Sequence, residues 1–191
     1  MAQLYGEARR AGKVTATSQK QWLAQRDRCT DEECVDNSYA ARMDQIFAAM
    51  GPGAGLAPDQ SVTYYQDVLP LPSSMRGSEL YERILPVLTD ASWQYIKLTG
   101  MEDGSISAEG FALGANAHTC DLAVDSARWD TKTGWYSARA YDGTLVPLFR
   151  IWGDRLLMRY SGNSGDTLDV AQGFVSCGMR ASFIDLRDLG E

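Results

Sequence analysis

The sequence predicts an α+β protein: an N-terminal disulfide-pinned αα-hairpin, then an antiparallel β-barrel or sandwich of about seven strands. Three observations lead there. Between Gln19 and Met50, apolar residues recur at helical spacing on either side of Cys29 and Cys34. The run Gly51-Pro52-Gly53-Ala54-Gly55 then ends the helical texture. From Ser92 onward, segments of strand length alternate with turn residues. The expected division is a helical module over residues 1–50, a linker over 51–60 and a mainly antiparallel β domain over 61–191.

Residues 1–16 are polar with scattered apolar positions and read either as an initial helix or as a loose arm. Thr17 or Ser18 is the expected N-cap of a helix running to Arg28, with Trp22, Leu23 and Arg26 on one side. Thr30 or Asp31 caps a second helix, whose first turn holds Glu32 and Glu33, where the helix dipole favours acids. Val35, Tyr39, Met43, Ile46 and Met50 form its apolar stripe. A short helix is expected from Gly77 to Leu85, ended by Pro86. The expected strands are Trp93 to Thr99, Ser105 to Leu113, Cys120 to Trp129, Trp135 to Tyr141, Leu145 to Trp152, Arg155 to Ser161 and Cys177 to Leu186. Pro147 implies an edge or a bulge in the fifth of these. Asp103-Gly104, Thr133-Gly134, Asp142-Gly143 and Gly153-Asp154 supply the turns. No βαβ repeat is visible, which argues against a doubly wound nucleotide-binding fold.

Composition narrows the function classes. Hydrophobic residues make up 45% of the chain, including five Trp, nine Tyr and five Phe, so there is ample material for a core. The net charge is −7, from 18 basic and 25 acidic residues. The densest basic cluster is Arg9, Arg10 and Lys13, too little for a phosphate-tracking stripe, so no nucleic-acid partner is expected. The acidic balance favours a basic protein partner or simply keeps the surface hydrated. No apolar run is long enough to span a bilayer. Met1 to Gly12 lacks the apolar core of a signal peptide.

The four cysteines are Cys29, Cys34, Cys120 and Cys177. Four cysteines allow three connectivities; the pairing 29–34 with 120–177 is the economical one, because each module then closes on itself. Zinc is the rival reading, but no Cys-x-x-Cys occurs and His118 is the only histidine. Disulfides imply an oxidising compartment, so the chain is expected to be periplasmic or secreted, with its signal peptide removed. Lipid anchoring is compatible with this placement.

Catalytic candidates are few. A Ser-His-Asp or Cys-His site would have to use His118, in Asn116-Ala117-His118-Thr119-Cys120, and a Cys120 held in a disulfide is no nucleophile. No Gly-x-Ser-x-Gly elbow is present. A glycosidase needs a carboxylate pair; Asp121, Asp125, Asp130, Asp166 and Asp169 are available, but their spacing singles out no pair. The chain is therefore expected to be non-catalytic, without cofactor or metal. For partner binding, the small polar loop Ser161 to Asp166 stands out, with Asn163, Ser164 and Asp166 as contact residues. Among the aromatics Trp129, Trp135, Tyr136 and Trp152, which read as a sugar or protein contact surface, Trp135 and Trp152 join that set.

Gln21-Trp22-Leu23, Arg26-Asp27, Cys29, Cys34, Tyr39 and Arg42 together resemble the lysozyme inhibitor LprI-type N-terminal domain. There a Trp-Leu-x-x-Arg-Asp-x-Cys helix is followed by a second Cys and a Tyr-x-x-Arg helix. The stretches around Cys120 and Cys177 are similar to the disulfide-bearing strands of the small β domains that follow such modules, although the full motif of the membrane-bound C-type lysozyme inhibitors is absent. The resemblance implies an exported bacterial envelope protein. It implies inhibition of a peptidoglycan-degrading hydrolase, either a host lysozyme or a secreted toxin effector to which this chain confers immunity. A cell-wall-acting enzyme using His118 or a carboxylate pair, and a structural envelope protein, are the alternatives.

Overall fold

A computed structural model describes residues 1–53, 55–66, 79, 83, 87, 93–113, 119–159, 173–177, 183 and 186–187. These residues hold three helices and nine strands. The chain divides into two compact units: Met1–Ala54 with Trp129–Tyr136, and Gly55–Arg128 with Ser137–Glu191.

The first unit begins with α1 (Ala2–Arg10), a helix rather than a loose arm, which buries Leu4 and Ala8 and packs against the third helix. Helix α2 spans Ala16–Arg26 and is capped by Thr15, two residues before the expected cap. The cause is local. Thr15 Oγ1 accepts from the Ser18 backbone N–H at 3.1 Å, while Ser18 Oγ accepts from the Thr15 N–H at 3.3 Å. The serine that reads as a cap is thus the third helical residue of a capping box. Helix α3 spans Glu32–Met50 and is capped by Asp31, whose carboxylate accepts from the Cys34 N–H at 2.8 Å. Its most buried positions are Arg42, Ile46 and Phe47; the rest of the expected stripe is half-buried.

The turn end of a hairpin completes this unit. Strands β4 (Thr119–Asp130) and β5 (Trp135–Arg139) flank a turn held by Asp130. The Asp130 carboxylate accepts from the Lys132 N–H at 2.9 Å and from the Thr133 hydroxyl at 3.0 Å. Gly134 then lies so close to α3 that a Cβ there would meet the Ala48 backbone nitrogen at 2.5 Å, and its φ is +74°. Only glycine satisfies both conditions.

In the second unit the strands are β1 (Ser61–Gln66), β2 (Trp93–Gly100), β3 (Ile106–Leu113), most of β4 and β5, β6 (Leu145–Trp152), β7 (Arg155–Met158), β8 (Val175–Cys177) and β9 (Leu186–Arg187). They form one antiparallel sheet in the order β3-β2-β1-β9-β7-β6-β5-β4-β8, and β3 pairs with β4 as well. The sheet is therefore curled, not split into two stacked layers. Alternation places Ile96, Leu98, Ala108, Leu122 and Val124 inside, with Leu148, Leu156 and Phe183. Arg150 is among the largest fully buried side chains.

Three local expectations change. Residues 57–60 are not free linker: Asp59 N–H donates to the Gly100 carbonyl at 2.9 Å, and Gly100 N–H donates to the Gln60 carbonyl at 2.9 Å. A strand absent from the expected set, β1, pairs with β2 from Ser61↔Thr99 to Tyr65↔Tyr95. Pro147 lies in β6 outside the stretch paired with β7, which runs over Phe149–Trp152. Of the expected short helix, Glu79 and Arg83 have helical backbone, and so does Val87, beyond Pro86.

Candidate functional site

The cysteines pair as 29–34 and 120–177. Cys29–Cys34 joins the connection that follows α2 to the first turn of α3, with Cα atoms 5.4 Å apart. Cys120 and Cys177 face each other in the β4–β8 register, with Cα atoms 4.0 Å apart. No free cysteine remains.

The residues that carry the family resemblance interlock within the helical unit. The Trp22 indole N–H donates to the Ser38 carbonyl and hydroxyl at 3.2 and 3.1 Å. Trp22 meets Tyr39 edge-on at 5.1 Å, and the Arg26 guanidinium sits 5.4 Å from the Trp22 ring. Arg26 also donates to the Tyr39 hydroxyl at 2.9 Å and pairs with Asp27. Arg42 is buried and donates to Gln19 Oε1 at 3.1 and 3.2 Å, to Ser18 Oγ at 3.2 Å and to Gln45 Oε1 at 3.3 Å. Burial lowers the Arg42 pKa from its ordinary value. These side chains hold α2 against α3.

The remaining sequence candidates scatter. His118, Asn163, Ser164, Asp166 and Asp169 lie outside the described residues. Trp135 is not exposed, contrary to expectation: it is 4% accessible, and its indole N–H donates to the Asp44 carboxylate at 2.9 Å. Tyr136 is also buried, which pushes its phenol pKa up, and it meets Trp129 edge-on at 5.4 Å. Trp152 is half-buried at the end of β6, opposite Arg155. Asp130 holds the β4–β5 turn. Asp121 and Asp125 are exposed four positions apart on β4, which separates their Cα atoms by roughly 13 Å at strand rise. Paired glycosidase carboxyl groups sit about 5 to 9.5 Å apart. Among the described residues no group of three or more metal-ligating side chains gathers.

An exposed aromatic surface does exist, on two of the expected strands, β2 and β3, and on the unexpected β1. Trp93 on β2 is 49% accessible and Tyr65 on β1 is 38% accessible. The Trp93 and Tyr95 rings stack at 5.7 Å with planes 12° apart, and Phe111 on β3 reaches Trp93 at 5.2 Å. Register places Tyr65, Tyr95 and Phe111 in one row across three strands. The next row is Thr63, Lys97 and Glu109, with Lys97 and Glu109 ion-paired at 3.3 Å. The row after that is Ser61, Thr99 and Ser107, with Ser61 and Thr99 hydroxyls 2.8 Å apart. This is one face of the sheet, graded from rings through a charge pair to hydroxyls. Its sequence signal is the alternation Trp93, Tyr95, Lys97, Thr99, whose parity alone does not say which set faces outward.

A cleft of about 570 Å³ opens elsewhere on the same unit, lined by Asp125, Arg128, Arg139, Tyr141, Leu145 and Phe174 among others. Both of its arginines are held from within the fold: Arg128 by Asp103, and Arg139 by the Gly143 carbonyl at 2.7 Å. Tyr141 is fully exposed at its rim. Compared with models of protein families, with curated proteins and with solved structures, the chain matches none of them.

Proposed function

We propose that the protein is a non-catalytic binding protein of the bacterial envelope, periplasmic or secreted, that inhibits a peptidoglycan-degrading hydrolase. Its target is a host lysozyme, or a secreted toxin effector for which it acts as the immunity protein. The observation that supports this reading most is that Trp22, Arg26 and Tyr39 pack together between α2 and α3, Arg42 bonds Ser18 and Gln19 across the same pair of helices, and Cys29–Cys34 closes their connection. Two disulfides suit an oxidising compartment, and no helix among the described residues is long and apolar enough to cross a membrane. The net charge of −7 suits attraction to a basic hydrolase.

The test is turbidimetric lysis of cell-wall suspensions by a panel of basic lysozymes and secreted hydrolases, with this protein added. Saturable inhibition of at least one hydrolase is expected, weakening as salt rises because steering is screened. Inhibition that is flat in salt removes the steering component. Lysis by the protein itself, lost in His118→Ala, replaces the binding reading with an enzymatic one.

A further inference from the structure

We propose that the outer face of β1–β2–β3 is a binding site for a linear, uncharged, β-linked glycan. The site is centred on Trp93 and is separate from any contact with a hydrolase. A sugar ring has an apolar C–H face and a rim of hydroxyls. The first is matched by an aromatic face, the second by charged and hydroxyl side chains that both donate and accept. This surface supplies the two in adjacent register rows. Tyr65, Tyr95 and Phe111 lie abreast beside Trp93, and Lys97 and Glu109 lie in the next row. Beyond them come Thr99 and its hydroxyl neighbours.

Charge selects among ligands. The two charges in the middle row pair with each other at 3.3 Å, so the face offers no net positive charge. A polyanion such as nucleic acid needs phosphate-facing cations, and the chain as a whole carries −7. A neutral chain of hydroxyl-bearing rings meets no such penalty. Trp93 keeps 49% of its surface accessible while it touches two other rings, so its outward side is open to a ligand. Trp93 and Tyr65 are exposed with Tyr95 and Phe111 half-buried beside them, a contiguous aromatic group of the kind that marks an interaction site. Because three hydrogen-bonded strands carry the site, its rows are fixed before a ligand arrives. Register rows that run across three strands make an extended platform, which suits an extended β-1,4-linked chain and not a coiled α-linked one.

Isothermal titration of the intact, disulfide-bonded protein with chitohexaose and cellohexaose tests this, with maltohexaose as the α-linked arm. Binding of a β-linked hexamer is expected, weakened about tenfold in Trp93→Ala, the order of one well-placed aromatic contact. If Trp93→Ala does not fold, Tyr65→Ala gives the same reading, with a loss of several-fold expected. No binding of either β-linked hexamer, or binding of maltohexaose alone, overturns the proposal. So does a Trp93→Ala protein that folds and binds undiminished. A Trp93→Ala change that leaves glycan binding intact but abolishes hydrolase inhibition, or alters the oligomeric state, makes this face a protein-docking surface and also overturns it.

Discussion

Trp135 donates its indole N–H to the Asp44 carboxylate at 2.9 Å, tying the turn end of the β4–β5 hairpin to α3. Beside it the Asp130-held turn brings Gly134 against the Ala48 backbone. An aromatic that reads from the sequence as a contact residue is thus a structural anchor of the helical unit.

Replacing Trp135 by Phe keeps most of the ring and removes the donor. A hydrogen bond to a charged acceptor contributes about 1.5–3 kcal/mol, so Trp135→Phe should lower stability by that order. Trp135→Ala adds a cavity and should cost about 3–5 kcal/mol. Urea denaturation followed by far-UV circular dichroism reads both; a Phe variant as stable as the parent would show that the bond contributes nothing net.

Arg42 reaches Ser18, Gln19 and Gln45 with one planar fork. Lysine keeps the charge but cannot serve three acceptors in that geometry. Arg42→Lys is expected to destabilise the protein by about 1–2 kcal/mol. A melting temperature equal to the parent's in differential scanning calorimetry would mean that charge, and not the fork, matters at this position.

The two disulfides differ in the length of chain they close, 5 against 57 residues of separation. On the loop-entropy account these contribute about 2 and about 4 kcal/mol. Paired Cys→Ser variants should reproduce that order in denaturant midpoint, with the Cys120/Cys177 variant the less stable. The reverse order would place the larger constraint in the helical hairpin.

The Asp103 carboxyl is held below its ordinary pKa, first by the Ser105 hydroxyl at 2.6 Å, then by the Ser105 N–H at 2.9 Å and the charge of Arg128. Its folded pKa therefore lies below its unfolded value of about 3.9. The stabilisation is present above that value and fades as pH falls through the depressed folded pKa. The Ser105 amide resonance should hold steady down to mildly acidic pH and move only below the usual carboxylate range. In Asp103→Asn that low-pH transition should vanish; a transition unchanged in the variant would assign it to another acid.

Local chemistry made much of the fold legible. Gly104, Gly134, Gly143 and Gly153 all adopt positive φ in turns marked by their sequence, because a positive φ is a property of the residue and its neighbours. Thr15 escaped because Thr15, Thr17 and Ser18 are all good caps, and only the reciprocal bonds with Ser18 choose among them. The β1 strand escaped because Ser61–Gln66 is one short run beside a mixed stretch of sequence; its pairing with β2 defines it.

The sequence by itself determined the α+β order and the glycine turns, and it marked 29–34 with 120–177 as the economical of three cysteine pairings. The turns rest on residue identity at short spacing. The tertiary structure decided which aromatics are open. Trp135 and Trp93 are both tryptophans at strand starts, yet one is buried at 4% and the other exposed at 49%. A strand's period of two offers two faces, and only the partner elements choose between them: α3 with Asp44 at one tryptophan, open solvent at the other.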